Sequence, residues 1–446
     1  MTTTTDTDKT VAERGMGVGL RALNWLAGSD LLDRIRIRKG VERALFQGTK
    51  GGFRTATAAG RTFKAAQQLG KPARQARSKS KGLFDVTPDD EQQMFVEAGR
   101  TFAEAEVRPA ALTADSERKT PPELLAQMAE LGVNMLGVPE ELGGVMHEQA
   151  AVTSVLIGEA LAHGDMGIAY AALAPGAVAT AIGLWGSAEQ EATYLPAFTG
   201  EDVPAAALAI LEPRPLFDPL KPETKARREG EDWVLTGAKS LLARATECEL
   251  FVIAADAEGI GPALFVVESG TKGLEIEDEP AMGLRAAATG RLLIEDARIP
   301  GSALLGEGSP ADYVECIDRA RIAWCGLAVG TAQAVLDYVI PYVNERQAFG
   351  EPISNRQGVA FAVSELGIEG SGMRLATYRA ASRADRGEDF AREAAIARRL
   401  CSVKGMKIGS DGVQLLGGHG FVKEHPVERW YRDLRAAGVM EGALLV

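Results

Sequence analysis

The C-terminal stretch Gln414–Val446 reads QLLGGHGFVKEHPVERWYRDLRAAGVMEGALLV and combines three features. Its glycine cluster lets a backbone approach a ligand or a neighbouring chain closely, because glycine has no Cβ. The charged helix that follows carries arginines, which can bind carboxylates or phosphates through paired hydrogen bonds. Beyond that helix, Glu441 is a single acid in an apolar tail. An apolar setting raises the pKa of a carboxyl towards the range useful for a general base.

In this order the features resemble the C-terminal signature of the acyl-CoA dehydrogenase family. That signature is a glutamine, two glycines, Pro-x-Glu-Arg, Arg-Asp and then Glu-Gly-Thr. The matching residues are Gln414, Gly417, Gly418, Pro426, Glu428, Arg429, Arg432, Asp433, Glu441 and Gly442, whereas Ala443 stands where the family has threonine. The resemblance implies that Glu441 is the catalytic base. From the residues alone, the alternative is an exposed acid near a chain end.

The overall composition is close to that of an ordinary soluble globular protein, with 46% hydrophobic and 25% charged residues. The four cysteines form no CxxC pair and no disulfide framework, which indicates a reducing cytoplasm. The four histidines lack the spacing of metal ligands, so we expect no metal site. We also expect no nucleic-acid partner.

The net charge of −12 hides an asymmetry between the two ends of the chain. Residues 1–84 contain 17 Lys and Arg against 6 Asp and Glu, a net charge of +11, and the remainder carries −23. A basic leader on an acidic body favours an anionic surface such as lipid headgroups, or docking on the acidic body itself. Apolar residues interleave with arginines from Val18, which would suit an interfacial helix. We therefore expect a cytoplasmic protein with peripheral membrane contact through residues 18–82. The alternative is a helical extension packed on its own body or on a sister subunit.

The period of the apolar residues divides the rest of the chain into three domains. Residues 85–200 are helical, beginning at the N-cap sequence Thr87-Pro88-Asp89-Asp90. Residues 201–306 form short β-type runs, which predict a small antiparallel β domain; the runs are 204–211, 233–236, 251–255, 263–268, 274–277 and 291–294. Residues 307–446 return to long helical segments, which predict a four-helix bundle; the segments are about 311–345, 354–386, 391–416 and 424–436.

The uncharged run Met166–Ala188 is about as long as a bilayer span, but it contains Pro175. We expect two short buried helices joined at Ala174–Pro175. The order of helix, β domain and helix bundle is also the architecture that the resemblance implies. The predicted fold class is therefore α+β and acyl-CoA dehydrogenase-like, over about residues 85–446. A basic helical extension, residues 1–84, lies outside the resemblance.

The reaction that the resemblance implies forms an α,β-double bond in an acyl thioester. It requires a base at the α-carbon and a hydride acceptor at the β-carbon. No side chain accepts a hydride, so the acceptor must be a flavin. The family's alternative base position lies immediately before Arg321, and the residue there is Ala320, which cannot take a proton. Glu441 is therefore the predicted base.

The resemblance also implies residues for the adenosine and pyrophosphate end of FAD. The sequence Glu345–Gly350 is similar to the family's Glu-Arg-x-x-Phe-Gly segment, whose arginine meets the pyrophosphate of the neighbouring subunit's FAD. Arg346 would bind this pyrophosphate and Phe349 would lie on the adenine side. Gln357 is also assigned to cofactor binding by the resemblance, and Gln414, Gly417 and Gly418 would complete this half-site from a partner chain. Alternatively, Arg346 caps its helix and the glycines are a plain helix stop.

The segments that the family uses for the flavin ring have diverged here. Leu211 replaces a threonine that touches the ring, and Phe217 replaces a serine that faces CoA. Leu241 replaces a tryptophan that stacks on the ring, and Ala243 replaces a threonine that bonds its reactive nitrogen. Ala443 removes a third hydroxyl. At about 1 kcal/mol per net hydrogen bond, these losses would weaken FAD binding on the order of several kcal/mol unless backbone groups substitute.

Three further residues are expected near the substrate. Asp318 and Arg321 are three residues apart on one helix face, and the resemblance places them by the acyl-CoA and the base loop. Gly442 follows the base directly. For Asp318 and Arg321, the alternative is a local ion pair.

The predicted function is that of a FAD-dependent acyl-CoA dehydrogenase of fatty-acid β-oxidation. Its expected partners are an acyl-CoA substrate, an electron-transfer flavoprotein as electron acceptor, and sister subunits in a homodimer or homotetramer. The alternative is an acyl-CoA dehydrogenase-fold subunit that holds flavin poorly and serves a hetero-oligomer without its own turnover. A membrane-associated binding protein is the third hypothesis.

Overall fold

Pro88 and residues 90–145, 151–200 and 202–442 are described by the computed structural model of this chain. The chain separates between Leu83 and Phe84, and all of these residues belong to the second unit. The predicted basic extension, its membrane contact through residues 18–82, and Ala443 lie outside the described residues.

The first part of the described chain is helical. Its helices are α1 Asp90–Phe102, α2 Arg108–Glu117, α3 Pro122–Glu130, α4 Ala151–Gly164, α5 Met166–Trp185 and α6 Ala188–Tyr194. A π-helical turn, Ala103–Val107, joins α1 to α2. Asp165 caps α5 by accepting a hydrogen bond from the Ile168 N–H at 3.0 Å. Ser187 and Gln190 form a capping box at the start of α6.

Helix α5 corrects one of the predictions. Pro175 lies inside a single continuous helix instead of between two short ones. Proline removes one backbone hydrogen bond from a helix, but α5 is largely buried, and the surrounding packing keeps it continuous. Two helices, Met166–Trp185 and Pro310–Glu345, are long and apolar enough to span a membrane, and 61% and 72% of their apolar windows are buried inside the protein.

The middle of the chain forms a seven-stranded sheet in the order β1-β4-β2-β3-β7-β6, with β5 also paired to β4. The strands are β1 Ala206–Ala209, β2 Lys225–Glu229, β3 Asp232–Leu242, β4 Leu250–Ala257, β5 Gly261–Glu268, β6 Leu274–Asp278 and β7 Gly290–Ile299. Most neighbours are antiparallel, but β4 runs parallel to β1 and to β2. The sequence KARRE of β2 was not recognised as a strand, because only Ala226 in it is buried.

The last part of the described chain is a bundle of long helices. They are α7 Pro310–Glu345, α8 Gln357–Asp385, α9 Ala391–Leu415 and the shorter α10 Val427–Leu434. A two-stranded hairpin, β8 Gln347–Ala348 and β9 Glu351–Pro352, joins α7 to α8. Helices α7, α8 and α9 pack around a common apolar core that also contains the fully buried Trp430.

Charged residues of α10, the helix of the C-terminal signature, bond to residues of the helical and middle parts of the chain. Arg429 pairs with the buried Asp165 at 2.8 Å, and Arg432 pairs with the buried Asp115 at 2.8 Å. Asp433 accepts a hydrogen bond from the Leu284 N–H at 2.6 Å. These two arginines and this acid therefore stabilise the junction that positions the C-terminal loop, and they are already paired within the chain.

Candidate active site

Glu441 lies in a buried loop that follows α10 and a short 3-10 turn, Arg435–Gly438. Only 6% of its surface is exposed, so it is not an exposed acid near a chain end. Its backbone is left-handed, with φ +54°. Gly442 follows with φ +103°, and a Cβ there would come within 2.5 Å of Pro219 Cδ, so only glycine fits. The loop therefore turns the Glu441 side chain inward.

Two arginines hold the backbone of this loop. Arg321 of α7 donates to the Glu441 carbonyl through Nε at 3.3 Å and Nη2 at 3.2 Å. Arg398 of α9 donates through Nη2 to the Gly442 carbonyl. Arg321 thus lies at the base loop, as the resemblance implies, but it binds the loop itself.

The environment of Glu441 makes its carboxyl basic. Burial raises the pKa of Glu441 above its ordinary value, because an ionised carboxylate loses its hydration. The hydrogen bond from Trp324 and the charges of Arg398 and Arg321 oppose that rise without cancelling it. A carboxyl whose pKa is raised in this way binds a proton more readily than an exposed one, which is the property that a general base uses.

Two aromatic residues that the sequence analysis did not identify lie at this site, one in contact with the carboxyl and the other packed on the first. The Trp324 indole donates to Glu441 Oε1 at 3.1 Å. The ring of Tyr170 lies 4.7 Å from that of Trp324, centroid to centroid. The Tyr170 hydroxyl donates to the Leu241 carbonyl at 3.0 Å. Trp324 is three residues after Arg321 and so on the same helix face, a spacing that could have indicated it.

Asp318 lies one turn before Arg321 on α7 and is buried, with 7% of its surface exposed. The nearest charged atoms of the two side chains are 3.8 Å apart, so the local ion pair is present but loose. Burial raises the pKa of Asp318 to about 6, although Arg321 acts in the opposite direction. The structure thus brings Asp318, Arg321 and Glu441 together; a role in binding substrate stays a prediction.

The residues predicted at the flavin ring are packed inside the protein. Leu211, Phe217 and Ala243 are 8%, 2% and 1% exposed. The Leu211 carbonyl accepts from the Ser240 N–H at 2.9 Å. The Leu241 N–H donates to Glu279 Oε2 at 2.9 Å. The Leu211 carbonyl and the Leu241 N–H are therefore already bonded within the chain.

A mainly apolar cavity of about 160 Å³ lies beside this site, between α4, α5 and α7. Leu173 and Ala177 of α5 and Ala320 and Ala323 of α7 contribute to its wall. Ala320 occupies the family's alternative base position, so the cavity adjoins a place from which a base could reach the same substrate carbon.

The residues predicted for the other end of FAD are exposed at the far end of α7. Arg346 is the C-cap residue of α7, with its backbone N–H bonded to Tyr342. The Phe349 side chain is 96% exposed. Gln357, Gln414, Gly417 and Gly418 are exposed as well, and a Cβ on either glycine would meet nothing within 4 Å. The Tyr342 hydroxyl donates to the Leu416 carbonyl at 3.2 Å, which brings the glycine loop to the end of α7.

These two groups of residues lie far apart within one chain. Trp324 contacts Glu441, and Arg346 ends the same helix, so at 1.5 Å per residue they are about 33 Å apart. That is much longer than the ribityl linker between the ring and the pyrophosphate of FAD. A single FAD molecule therefore cannot place its ring at one group and its pyrophosphate at the other.

The fit of FAD differs between the two ends. The exposed end offers a cation, an aromatic ring and a glycine loop that admits close approach, and these fit an adenosine and a pyrophosphate. The ring end does not fit, because Leu211, Leu241 and Ala243 offer no hydroxyl or aromatic side chain to the ring, and Trp324 and Tyr170 bridge from Glu441 to the Leu241 carbonyl.

Comparison with known proteins gives a consistent result over the described chain. The models of the acyl-CoA dehydrogenase N-terminal, middle and C-terminal domains match residues 89–202, 207–297 and 311–444. The short-chain specific acyl-CoA dehydrogenase of Bos taurus mitochondria is 34% identical over 364 residues, which are 78% of this chain and 86% of that protein.

Two solved structures are similar in fold. Butyryl-CoA dehydrogenase from Megasphaera elsdenii superimposes with a TM-score of 0.74 and 26% identity, over 81% of this chain and 97% of that one. A chain from the structure of the electron transferring flavoprotein of Acidaminococcus fermentans gives a TM-score of 0.75 and 28% identity, over 81% and 97% of the two chains.

Proposed function

The chain belongs to the acyl-CoA dehydrogenase family, and on that premise we propose that Glu441 removes the α-proton of a short acyl-CoA thioester. Members of the family are FAD flavoproteins that oxidise the CH–CH bond of acyl-CoA. The family, fold class, enzyme class and cofactor predicted from the sequence are thus confirmed. FAD, when bound, supplies the hydride acceptor.

The observation that carries the proposal is the buried carboxyl of Glu441, held by Trp324 and with a raised pKa. Arg321 and Arg398 fix the loop backbone, so the carboxyl is oriented before substrate arrives. The family's alternative base position on α7 holds Ala320, which cannot accept a proton. Of these two positions, only Glu441 can therefore be the base.

The relatives and the cavity favour a short acyl chain. The similar proteins include a short-chain specific acyl-CoA dehydrogenase and a butyryl-CoA dehydrogenase. The cavity beside the site is mainly apolar, which suits a hydrocarbon chain.

The test is exchange of the α-proton, which needs only the chain's own base. Wild-type protein is incubated with butyryl-CoA in D₂O, and deuterium at the α-carbon is measured by mass spectrometry. We expect exchange with the wild type and none above background with Glu441→Gln. Equal exchange by the two proteins would refute the assignment of the base. In the FAD-loaded protein, bleaching of the flavin absorbance by butyryl-CoA tests dehydrogenation.

The proposal extends to the assembly. Each chain presents the ring end and the pyrophosphate end to different FAD molecules, which requires a second subunit. Apolar side chains are exposed at spacings of seven on two bundle helices: Phe361, Ile368 and Leu375 on α8, and Ile396 and Val403 on α9. Such stripes are typical of helix contacts between subunits. A homodimer or homotetramer by light scattering is expected, and a monomer would contradict it.

An electron-transfer flavoprotein is the proposed electron acceptor. The support is the similarity to a chain from the Acidaminococcus fermentans structure. Reduction of an added electron-transfer flavoprotein, in the presence of butyryl-CoA and faster than reduction of oxygen, is the expected result. Oxygen consumption alone would indicate an oxidase.

The cytoplasmic location and the membrane contact through residues 18–82 rest on the sequence. Flotation of the full chain with anionic liposomes, compared with a chain that lacks residues 1–84, tests the contact. Equal flotation of the two would reject it.

A second candidate function is a subunit that completes the FAD site of another chain without its own turnover. The filled space between Glu441 and Leu241 favours it. A wild-type protein that binds ADP-ribose but shows neither α-proton exchange nor flavin bleaching would support this function.

A further inference from the structure

The space between Glu441 and strand β3 is bridged by a continuous chain of contacts. The Glu441 carboxylate accepts from the Trp324 indole at 3.1 Å. The Trp324 ring packs on that of Tyr170 at 4.7 Å. The Tyr170 hydroxyl reaches the Leu241 carbonyl at 3.0 Å. The pair of aromatic residues therefore spans from the candidate base to the strand that carries Leu241.

The bridge contains two aromatic rings, whose centroids are 4.7 Å apart and whose planes are tilted by 53°. A base at the α-carbon and a hydride acceptor on the opposite side require a thioester and a flat ring, each about 3.5 Å thick, between them. Two aromatic rings fill a similar depth. The side chains of Trp324 and Tyr170 and a flavin ring placed beside β3 thus exclude each other.

The bridge is closed by polar contacts as well as by packing. Burial raises the pKa of Tyr170 far above its ordinary value, so its hydroxyl stays protonated and keeps donating to Leu241. On the strand side, the Leu241 N–H is bonded to Glu279 and the Arg244 N–H to the Ala287 carbonyl at 2.8 Å. These backbone donors are already in use.

The cavity beside the site is not a substitute for the ring space. The residues that line it include Cys316, Ala320 and Ala323 on α7, but none from 211–218, 239–244 or 439–442. It lies along the helices and not between Glu441 and β3.

We infer that Tyr170 and Trp324 are residues that control flavin binding in this chain: they occupy the place of the isoalloxazine ring, which enters only when they leave it. FAD therefore binds this chain more weakly than it binds a variant in which the space is open. This inference goes beyond the proposed function, because it does not depend on the role of Glu441.

The experiment is a titration of the full chain with FAD, followed by quenching of the flavin fluorescence. The variant Tyr170→Ala/Trp324→Val opens the space, and it is expected to bind FAD at least about ten-fold more tightly than the wild type. ADP-ribose, which has the pyrophosphate end but no ring, is titrated in parallel, and its affinity is expected to be equal in both proteins. Tyr194→Phe serves as the control, because it removes a tyrosine hydroxyl bonded to Glu268 away from the site.

Equal FAD affinity in the wild type and the opened variant would overturn the inference, as would the absence of FAD binding by both. So would an equal gain for ADP-ribose, because the effect would then not lie at the ring. Should the double variant fail to fold, Tyr170→Phe removes only the hydrogen bond to Leu241. It is expected to bind FAD a few-fold more tightly, and no change would overturn the inference. Failure of α-proton exchange would contradict the function of Glu441 and leave these affinities unaffected.

Discussion

The two ends of helix α7 differ in what they retain. At the far end, Arg346 and Phe349 match a cofactor motif and are exposed. Near Glu441, the residues that should face the flavin ring are replaced, and two aromatic side chains fill the space. In the proposed function, the first end binds a neighbour's FAD and the second faces the chain's own. Under the proposals above, the motif residues at the exposed end are thus kept, although those at the ring end have changed.

The variant Glu441→Gln tests whether the buried end of α7 carries out proton transfer, and its effect should be the greatest of those proposed. Glu441→Gln should lower the rate of α-proton exchange in butyryl-CoA by about 10²- to 10⁴-fold, because a positioned general base contributes that much. Mass spectrometry of the acyl-CoA in D₂O measures the rate. Glu345→Gln at the exposed end of α7 is the matched control and should leave the rate unchanged. A Glu441→Gln rate within two-fold of the wild type would remove the chemical distinction between the two ends.

The buried end also holds an unfavourable charge that the exposed end lacks. Burial raises the pKa of Asp318 to about 6, above the value of about 3.9 in an unfolded chain. Stability from this group is therefore fully present below about pH 4 and is lost as the pH rises through about 6. Asp318→Asn should stabilise the fold above pH 6 by up to about 3 kcal/mol, and much less at pH 4.

Differential scanning calorimetry at several pH values measures this effect as the difference in Tm between variant and wild type. The exposed Asp202, changed to Asn, is the control. A difference that does not grow between pH 4 and pH 7 would show that Asp318 does not carry the buried charge.

The exposed end is tested by Arg346→Ala. A hydrogen bond between an arginine and a phosphate contributes about 1.5–3 kcal/mol, so FAD and ADP-ribose should both bind about 10- to 100-fold more weakly. Isothermal titration calorimetry measures both affinities. Arg386→Ala removes a cation from the other end of α8 and should change neither. If Arg346→Ala binds as tightly as the wild type, the arginine is only a helix cap.

Much of the fold could be predicted from the sequence because long segments with helical period have few alternative structures. The predicted segment 391–416 is helix α9, Ala391–Leu415. Strand β2 cannot be predicted from its sequence, because it carries one buried residue among charged ones. Its backbone pairing with β3, and not its side-chain pattern, makes it a strand. Pro175 was predicted to end a helix, and burial on several sides outweighs that local preference.

The site could be predicted only in part. The sequence indicated Glu441, and the loss of ring contacts at Leu241 and Ala243, because both belong to local motifs. It could not indicate that Tyr170 and Trp324 fill the vacated space, because their contact joins two helices that are distant along the chain. A change within a motif can be recognised from the sequence. Which side chains take the place of a lost ligand contact depends on tertiary packing and cannot.

The variant Ala243→Thr, whose effect should be the weakest, compares the ring space when it is occupied by Tyr170 and Trp324 and when it is open. Ala243→Thr restores a hydroxyl where the family has one. In the Tyr170→Ala/Trp324→Val background it should tighten FAD binding about five-fold, the value of about 1 kcal/mol for one net hydrogen bond. In the wild-type background it should not tighten FAD binding, because Ala243 is 1% exposed and the larger side chain only overpacks the core.

Ala243→Val has the shape of threonine without the hydroxyl and is the control in both backgrounds. A coupling between position 243 and the aromatic pair is therefore expected. Equal gains in the two backgrounds would mean that the hydroxyl reaches the ring while Tyr170 and Trp324 are in place, and the ring space would then not be filled.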